Sequence, residues 1–160
     1  MSEIEFLQLL SHNQGIIGKV CSIYCNQQED YEDLFQEITY HAWKGYPNFR
    51  GDAKFSTWLY RIALNTAISS FRKRKPAIAL VSVLPDQIAD QPTEVTDQKQ
   101  QLLCAIKKLN EAERAIMALY LDEMSYQEIA EIIGITENNV GVKINRIKNK
   151  LYQILNRGTR

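Results

Sequence analysis

Apolar residues recur at intervals of three and four along most of the chain, which is the period of an amphipathic helix rather than the alternation of a β-strand. The dipeptides Asn-Gly and Asp-Gly, which are typical of tight β-hairpins, do not occur in the 160 residues. The pattern therefore predicts an all-α fold.

The first half of the chain is predicted to contain three helical segments. The first segment breaks near residues 13–15, and its buried side is formed by Leu7, Leu10, Ile17, Val20, Cys21 and Tyr24. The second runs from about Asp30 to Gly45. It turns its polar positions outward, among them Asp33, Gln36 and Glu37. A third helix follows a loop and runs from about Lys54 to Arg74.

The second half carries clear signals for helix ends. Asn110 with Glu113, and Ser125 with Glu128, have the spacing of capping boxes, so helices are predicted to begin at both. Gly134 fits a left-handed C-cap and Thr136 a new N-cap, which together predict a helix-turn-helix. The second helix of this motif buries one apolar stripe, made of Val140, Ile144, Ile147, Leu151 and Ile154.

Three of the four prolines, Pro76, Pro85 and Pro92, fall between the two halves. The residues around them lack an apolar period that a helix or strand could use. We therefore expect two small helical domains, residues 1–75 and 98–160, joined by a flexible linker over residues 76–97. Domains of this size are near the lower limit for an independent core.

The 19 basic and 19 acidic side chains cancel in total, yet they are segregated along the chain. Residues 29–37 and 76–97 hold acids and no base, whereas residues 54–75 and 138–160 hold bases and no acid. A surface that served only solubility would mix its signs. Two basic blocks separated by an acidic spacer indicate contact with a polyanion at two places.

Six of the fifteen aromatic residues lie within residues 43–60, directly before and inside the first basic block: Trp43, Tyr46, Phe49, Phe55, Trp58 and Tyr60. Bases of an unpaired nucleic-acid strand stack on such rings at about 1–3 kcal/mol each, while cations follow the backbone. Arg61, Asn65 and Arg72 form one stripe of the same helix. The segment is a candidate single-strand binder; the alternative is that most of these rings, above all Trp43 and Phe55, belong to the core.

The second helix of the helix-turn-helix leaves a polar and basic face outward, formed by Asn138, Asn139, Val142, Lys143, Asn145, Arg146 and Asn149. Asn and Arg are the residues that read adenine and guanine edges, and the N-terminal part of a recognition helix makes the base contacts. Lys148 and Lys150 lie farther along the helix, where contact with phosphate is favoured. This half is therefore a candidate reader of duplex DNA.

Three stretches, in order along the chain, resemble the extracytoplasmic-function (ECF) group of the sigma-70 family of bacterial RNA polymerase sigma factors. They are Asp33-Leu34-Phe35-Gln36-Glu37, the string FRGDAKFSTWLYRIALN from Phe49 to Asn65, and the helix-turn-helix. The resemblance implies a first domain, region 2, that binds the polymerase clamp and melts the −10 element. It implies a second domain, region 4, that reads the −35 element.

The resemblance also implies roles for individual residues. The helix that binds core polymerase is matched by Asp33, Leu34, Gln36 and Glu37. The positions that hold a flipped-out base of the −10 strand are matched by Phe49, Arg50, Asp52, Phe55, Arg61 and Asn65, with Trp58 and Arg72 as aromatic and basic neighbours. The −35 positions are matched by Asn139, Val142, Lys143 and Arg146, with Asn138, Lys148 and Lys150 added from the helix pattern. One departure is Gly141, where many relatives carry Lys or Arg, so no −35 sequence is inferred.

The expected partners are core RNA polymerase, promoter DNA and an anti-sigma factor, with no small-molecule substrate. Neither His12 nor His41 has a Ser or Cys arrangement typical of catalysis, and no phosphate-binding Gly motif occurs, so we expect no enzyme and no cofactor. Cys21 and Cys25 could form a metal or redox pair, but two thiolates do not complete a tetrahedral site, and core thiols are the favoured interpretation.

The chain is expected to be cytoplasmic and associated with the nucleoid. Its apolar runs are far shorter than the ~20 residues of a membrane span. The acidic N-terminus, from Met1 to Glu5, is unlike a secretory signal, which carries basic residues before an apolar stretch. The sequence therefore predicts no insertion into a membrane.

Other classes of function stay open from the sequence. A one-component helix-turn-helix regulator, with residues 1–75 as a sensor or dimerisation domain, would explain the second half but not the aromatic and basic segment. A small nuclease would need metal-binding carboxylates beside the basic surface, and the acidic blocks lie elsewhere. A helical hairpin that does not bind DNA is also compatible with the second half.

Overall fold

The computed structural model describes residues 3–81 and 94–157, and within these it describes residues 74–81 and 94–97 by their backbone alone. These ranges contain eight α-helices, one short 3₁₀ helix and no β-strand, which confirms the all-α prediction. The α-helices are α1 (Glu3–His12), α2 (Gln14–Tyr24), α3 (Gln28–Gly45), α4 (Phe55–Val81), α5 (Glu94–Ile106), α6 (Glu111–Leu121), α7 (Tyr126–Ile133) and α8 (Glu137–Arg157), and the 3₁₀ helix covers Tyr46–Asn48. Among the described helices, none has both the length and the apolar character needed to cross a bilayer.

The first helical segment is interrupted at Asn13, between α1 and α2, as the sequence predicts. The Asn13 side chain donates through Nδ2 to the Leu9 carbonyl at 2.7 Å, a local bond that competes with continuation of the helix. The inward face of α1 differs from the prediction. Leu7 is 57% exposed, whereas Phe6 is 1% exposed because its ring packs on Tyr46, with the ring centroids 5.1 Å apart.

The core of the first half is made where α2, α3 and α4 pack together. Each helix contributes buried residues at the helical period: Ile17, Val20 and Cys21 from α2, Leu34, Ile38 and Ala42 from α3, and Leu59, Ala63 and Ala67 from α4. Helices α2 and α3 approach closely at Gly18, where an added Cβ would lie 3.1 Å from the Tyr31 hydroxyl. The apolar positions of α3 thus face the core, opposite the polar positions that the sequence predicts to face outward.

Helix α4 is longer than the sequence predicts, since it ends at Val81 instead of Arg74. Its backbone stays helical through Pro76, although proline lacks the N–H that the helical ladder uses. Helix α5 begins at Glu94, so the predicted linker is helical at both ends, and its middle, residues 82–93, lies outside the described residues. The domain boundaries themselves stay predictions.

Local signals determine the helix ends of the second half. At both predicted capping boxes the two reciprocal bonds are present: Asn110 with Glu113, and Ser125 with Glu128. The hydrogen bonds from the backbone and side chain of Ser125 hold the pKa of Glu128 below its usual value. Gly134 takes a left-handed φ of 87° and ends α7. The predicted helix-turn-helix is therefore formed by α7 and α8.

The buried side of α8 is also as predicted along most of its length. Val140, Ile144, Ile147 and Leu151 are all buried, whereas Ile154 is half-buried near the end of the helix. Thr136 accepts a hydrogen bond through Oγ1 from the Asn139 backbone N–H at 3.1 Å, which is an N-cap contact. The opposite face of α8 is thereby fixed toward solvent.

The two halves pack against each other, chiefly α6 and α7 of the second against α2 and α4 of the first. Arg114 of α6 lies at the centre of this contact and is only 8% exposed. Its Nη1 donates to the Ile23 carbonyl of α2 at 3.3 Å, and its guanidinium lies 4.8 Å from the centroid of the Phe71 ring of α4. The sequence-based expectation of two separate units did not include this contact.

Cysteines 21 and 25 are buried in the first half, and Cys104 is exposed. Burial, together with the nearby Cys25, raises the pKa of the Cys21 thiol to about 12. In the part of the chain that the structure describes, no three His, Cys, Asp or Glu side chains are grouped to hold a metal ion. The geometry favours core packing as the role of both buried thiols.

This placement predicts the pattern of thiol alkylation. Iodoacetamide should modify about one thiol per native chain at neutral pH and all three in denaturant, because alkylation needs an accessible thiolate. Intact-mass spectrometry measures the stoichiometry, and Cys104→Ser should abolish labelling of the native chain. Rapid alkylation of Cys21 in the folded chain would contradict the core placement.

Candidate nucleic-acid interface

The outward face of α3 is acidic. Asp33, Gln36 and Glu37 are exposed, as the sequence predicts, whereas Leu34 is 2% exposed and packs in the core. Leu34 therefore fixes the orientation of α3 and is not itself available to a partner. A groove beside this face is lined by Phe35, Gln36, Thr39, Tyr40 and Trp43.

The expectation that Trp43 is buried is wrong, because its ring is 42% exposed. One edge of the ring contacts Phe6, with the centroids 5.4 Å apart, and the remainder forms part of the groove. With Tyr40, which is 55% exposed, Trp43 gives the end of α3 an apolar surface next to its acidic one.

An aromatic cluster at the start of α4 consists of Tyr46, Phe49, Phe55 and Trp58, and its rings pack mainly on one another. The centroids of Phe49 and Trp58 lie 5.1 Å apart, those of Phe55 and Trp58 5.3 Å, and the rings of Tyr46 and Phe49 are stacked at 6.0 Å. Tyr46 and Phe55 are buried, whereas Phe49 and Trp58 are half-buried. The cluster thus holds the shape of the loop, and only Phe49 and Trp58 keep surface that could meet a base.

The loop between Phe49 and Phe55, the first residue of α4, presents polar groups to solvent. Arg50 and Asp52 are both exposed, and Gly51 between them has a φ of 79°, a conformation that side chains with a Cβ rarely adopt. The turn at Gly51 therefore lies between the two charged side chains, and both are accessible to solvent.

A shallow cleft on α4 is lined by Asn65, Ile68, Ser69, Arg72 and Lys73. The structure thus brings together two of the predicted strand-binding residues, Asn65 and Arg72. It adds Ser69 and Lys73, which the site prediction omitted although Lys73 belongs to the basic block. Polar amide, hydroxyl and cationic groups in one cleft suit a nucleotide, with the phosphate near the cations.

Arg61 and Arg72 of this stripe also contact the second half of the chain. Arg61 donates through Nη2 to the Glu131 carbonyl at 3.0 Å, and Arg72 donates through Nε to Glu111 Oε1 at 3.1 Å. Asn65 lies between them and is exposed. Local sequence patterns cannot predict these pairs, because their partners are 70 and 39 residues away.

The residues of α8 that are predicted to contact base edges of duplex DNA are all exposed: Asn138, Asn139, Val142, Lys143 and Arg146. Beside them Gly141 packs against Tyr126, since a Cβ at Gly141 would lie 3.4 Å from Tyr126 Cε2. The Tyr126 ring, 42% exposed, thus covers the position where a basic side chain is missing.

The two lysines predicted to hold phosphate have partners inside their own domain. Lys150 donates to both carboxylate oxygens of Glu113 at 3.1 Å. The Lys148 ammonium lies 4.6 Å from the centroid of the Tyr120 ring, and a hydrogen bond with Tyr120 raises the pKa of Lys148. Both lysines are exposed, but part of the charge of Lys150 is already neutralised by the carboxylate that caps α6.

Comparison with known families accounts for both halves. Residues 9–76 match the family model "Sigma-70 region 2", and residues 99–151 match "Sigma-70, region 4". The first match covers α3, the aromatic cluster and most of α4, and the second covers α7 and most of α8. The first half of the fold therefore corresponds to region 2 of a sigma factor, and the second half corresponds to region 4.

Curated relatives match over nearly the whole chain. The ECF RNA polymerase sigma factor SigW of Bacillus subtilis (strain 168) is 32% identical, with 94% of this chain and 88% of that protein covered. The ECF RNA polymerase sigma factor SigM of Mycobacterium tuberculosis is 26% identical over 94% of this chain and 76% of that protein. This chain belongs to the ECF sigma factors of the sigma-70 family, a family of regulatory factors rather than enzymes.

Two solved structures share the fold. The sigma factor RpoE in complex with the anti-sigma factor NepR from Bartonella quintana has a TM-score of 0.72 and 23% identity, covering 96% of each chain. CnrH in complex with the cytosolic domain of CnrY has a TM-score of 0.70 and 23% identity, covering 98% of this chain and 90% of CnrH. The resemblance inferred from the sequence is thus confirmed in family and in fold. The match of residues 9–76 to region 2 also accounts for the aromatic and basic segment of the first half, which a one-component regulator would leave unexplained.

Proposed function

We propose that this chain binds core RNA polymerase and directs it to promoters, whose −10 element is captured by the first half and whose −35 element is read by α8. The observation that carries the proposal is the order of three exposed surfaces on a sigma-70 fold. An acidic face on α3, a polar and cationic cleft on α4 and an Asn, Lys and Arg face on α8 follow one another along the chain.

Binding of polymerase is assigned to α3. Asp33, Gln36 and Glu37 share one exposed face, and the acidic block around them, residues 29–37, contains no base. Such a face favours a basic partner and speeds its approach. The exposed rings of Tyr40 and Trp43 lie along the same helix. They supply apolar surface that would be removed from water when the polymerase binds.

Capture of the −10 strand is assigned to the cleft on α4 and the adjoining loop. A base turned out of the duplex costs a few kcal/mol to unstack, and contacts in a pocket offset that cost. Asn65 offers an amide that pairs with base edges, Arg72 and Lys73 offer charge for phosphate, and Phe49 and Trp58 offer half-buried ring surface. Arg50, Asp52 and Arg61 supply further polar groups beside them.

Reading of the −35 element is assigned to the exposed face of α8. Asn138, Asn139, Lys143 and Arg146 lie in its first three turns, the part of a recognition helix that contacts bases. Val142 is 41% exposed and can contact a thymine methyl group. Lys148 and Lys150 lie beyond them and add contact with phosphate.

Regulation by an anti-sigma factor is part of the same proposal. RpoE and CnrH, which share this fold, were solved in complex with NepR and with the cytosolic domain of CnrY. We infer that this chain has a partner of that class. We also infer that the chain acts on promoter DNA in the cytoplasm, at the nucleoid. No cofactor and no small-molecule substrate enter the proposal.

The polymerase assignment predicts the effect of reversing charge on α3. Asp33→Lys with Glu37→Lys should weaken binding to core polymerase by on the order of 100-fold, because like charges then face each other. Binding is measured by fluorescence anisotropy of labelled chain, with helix content checked by circular dichroism. Glu3→Lys with Glu123→Lys changes the net charge equally at two exposed positions outside α3 and should bind normally. Near-normal binding of the folded α3 variant would remove the assignment.

The −10 assignment predicts a loss of strand opening when Asn65 is truncated. Asn65→Ala should slow open-complex formation on a duplex promoter by roughly 5- to 100-fold, the loss of one good base contact. A template mismatched at the −10 element should recover activity, yet base preference at the captured position should relax. Permanganate footprinting measures opening, and Asn26→Ala, an exposed asparagine outside the cleft, serves as the control. Unchanged base preference in Asn65→Ala would refute the pocket.

The −35 assignment separates Arg146 from Lys150. Arg146→Ala should change the selected −35 sequence, because losing a base contact costs about 1–3 kcal/mol and relaxes one position. Lys150→Ala should weaken binding to all sequences alike and lower the salt slope by about one. Selection from a randomised −35 library, with affinity measured at several salt concentrations, checks both. A motif unchanged by Arg146→Ala would show that Arg146 contacts the backbone.

A further inference from the structure

The two sides of helix α8 differ in charge. One side carries three exposed cations at the helical spacing of three and four residues: Lys143, Arg146 and Lys150. The other side carries Gly141 and, two helical turns later, Lys148. A helix in the major groove of DNA has one phosphate backbone on each side. The two sides of α8 therefore offer different groups to the two DNA strands.

Gly141 makes room for an aromatic ring of the neighbouring helix. It lies inside α8, and its φ is not positive, in contrast to Gly51 and Gly134. The backbone therefore does not require a glycine there, and a glycine inside a helix is destabilising relative to alanine. A Cβ at position 141 would lie 3.4 Å from Cε2 and 3.8 Å from Cδ2 of Tyr126. A long side chain at this position would have to share the space that the Tyr126 ring occupies.

Tyr126 is held at the start of α7, the first helix of the helix-turn-helix. It follows the N-cap Ser125, whose reciprocal bonds with Glu128 fix the first turn. The first helix of such a motif crosses the DNA backbone. The ring of Tyr126 is 42% exposed, and among the residues that the structure describes its hydroxyl has no hydrogen-bond partner. The hydroxyl is thus free to donate to a phosphate oxygen, as tyrosines do in protein–DNA contacts.

A lysine stands beside Tyr126 on the same side of α8. The Lys148 ammonium lies 4.6 Å from the centroid of the Tyr120 ring. A hydrogen bond with Tyr120, together with the weaker electrostatic effect of the Tyr120 and Tyr126 phenols, raises the pKa of Lys148. One ammonium and two phenols therefore form a polar cluster beside Gly141.

We propose that Tyr126, packed against Gly141, contacts the −35 duplex: its hydroxyl donates to a backbone phosphate of the strand opposite the one that Lys150 faces. This inference rests on the proposed function, since it takes α8 as the −35 reader. The contact is neutral. A lysine or arginine that binds a phosphate releases a counterion from the DNA, whereas a phenol does not. Tyr126 therefore adds affinity that rising salt does not remove.

The test compares Tyr126→Phe with Tyr152→Phe in holoenzyme formed with core polymerase. Each variant removes one exposed phenol hydroxyl from the second half, but Tyr152 lies near the end of α8, away from Gly141. The probe is a fluorescent promoter duplex that carries the −35 sequence selected by wild-type holoenzyme from the randomised library. Tyr126→Phe should bind it about 3- to 10-fold more weakly, the loss of one hydrogen bond, with the salt slope and the selected sequence unchanged. Tyr152→Phe should match the wild-type chain.

Two substitutions of Gly141 test the role of its packing. Gly141→Met and Gly141→Lys introduce side chains of similar length, of which only the lysine is charged. Gly141→Met should weaken binding about as much as Tyr126→Phe, with an unchanged salt slope, because the ring is displaced. Gly141→Lys should raise the salt slope by about one. Adding Tyr126→Phe to either variant should have little further effect, since the hydroxyl has already left the phosphate.

The outcomes separate the steps of the inference. Wild-type affinity of Tyr126→Phe, or equal weakening by Tyr152→Phe, overturns the phosphate contact. A lower salt slope in Tyr126→Phe overturns its neutral character, because the tyrosine would then act through the charge of Lys148. A full effect of Tyr126→Phe in the Gly141→Met chain overturns the role of Gly141. If wild-type holoenzyme selects no −35 sequence, the assignment of α8 is overturned, and the inference with it.

Discussion

The burial of the Arg114 guanidinium is the constraint on which the joining of the two halves depends. A buried cation is tolerated only when its donors are satisfied, and here the carbonyls of Leu109, Lys107 and Ile23 accept from it. Two of these acceptors belong to the corner between α5 and α6, and the third lies in the last turn of α2 in the other half. Moving the halves apart would leave Nη1 without its α2 acceptor and expose Phe71, so the corner and the docking are energetically coupled.

Local signals explain which parts of the fold were predictable. The capping boxes at Asn110 and Ser125, and the left-handed Gly134, act within one turn of the chain, so the sequence is enough to place them. Arg114 was missed although it precedes buried Met117 and Ala118 by three and four residues, a spacing that marks it as inward. Asp122 accepts from Tyr60 and Lys19, which lie 62 and 103 positions away along the chain, and nothing local to either partner encodes these pairs.

The candidate site shows the same division between local pattern and remote contact. Exposure of Asp33, Glu37, Asn139 and Arg146 followed from helical period alone. The period could not show that Phe55 of α4 packs against Phe49 of the preceding loop, nor that Lys150 meets Glu113. The aromatic-rich segment therefore contributes Tyr46 and Phe55 to the core and part of Phe49 and Trp58 to the surface. The buried rings set the shape that the half-buried rings and the loop charges present.

Glu113 illustrates how the folded second half limits its own positive charge. Its carboxylate accepts from the Asn110 backbone N–H, which begins α6, and from Lys150 on α8. A DNA phosphate that takes Lys150 must therefore compete with a carboxylate that the helix cap holds in place. Arg146 and Lys143, exposed on the neighbouring turns, lie on the face that the cap leaves open. The same principle applies to both halves of the chain under the proposed function: a cation that already pairs with a carboxylate, such as Arg72 or Lys150, offers less to a phosphate than an unpaired one would.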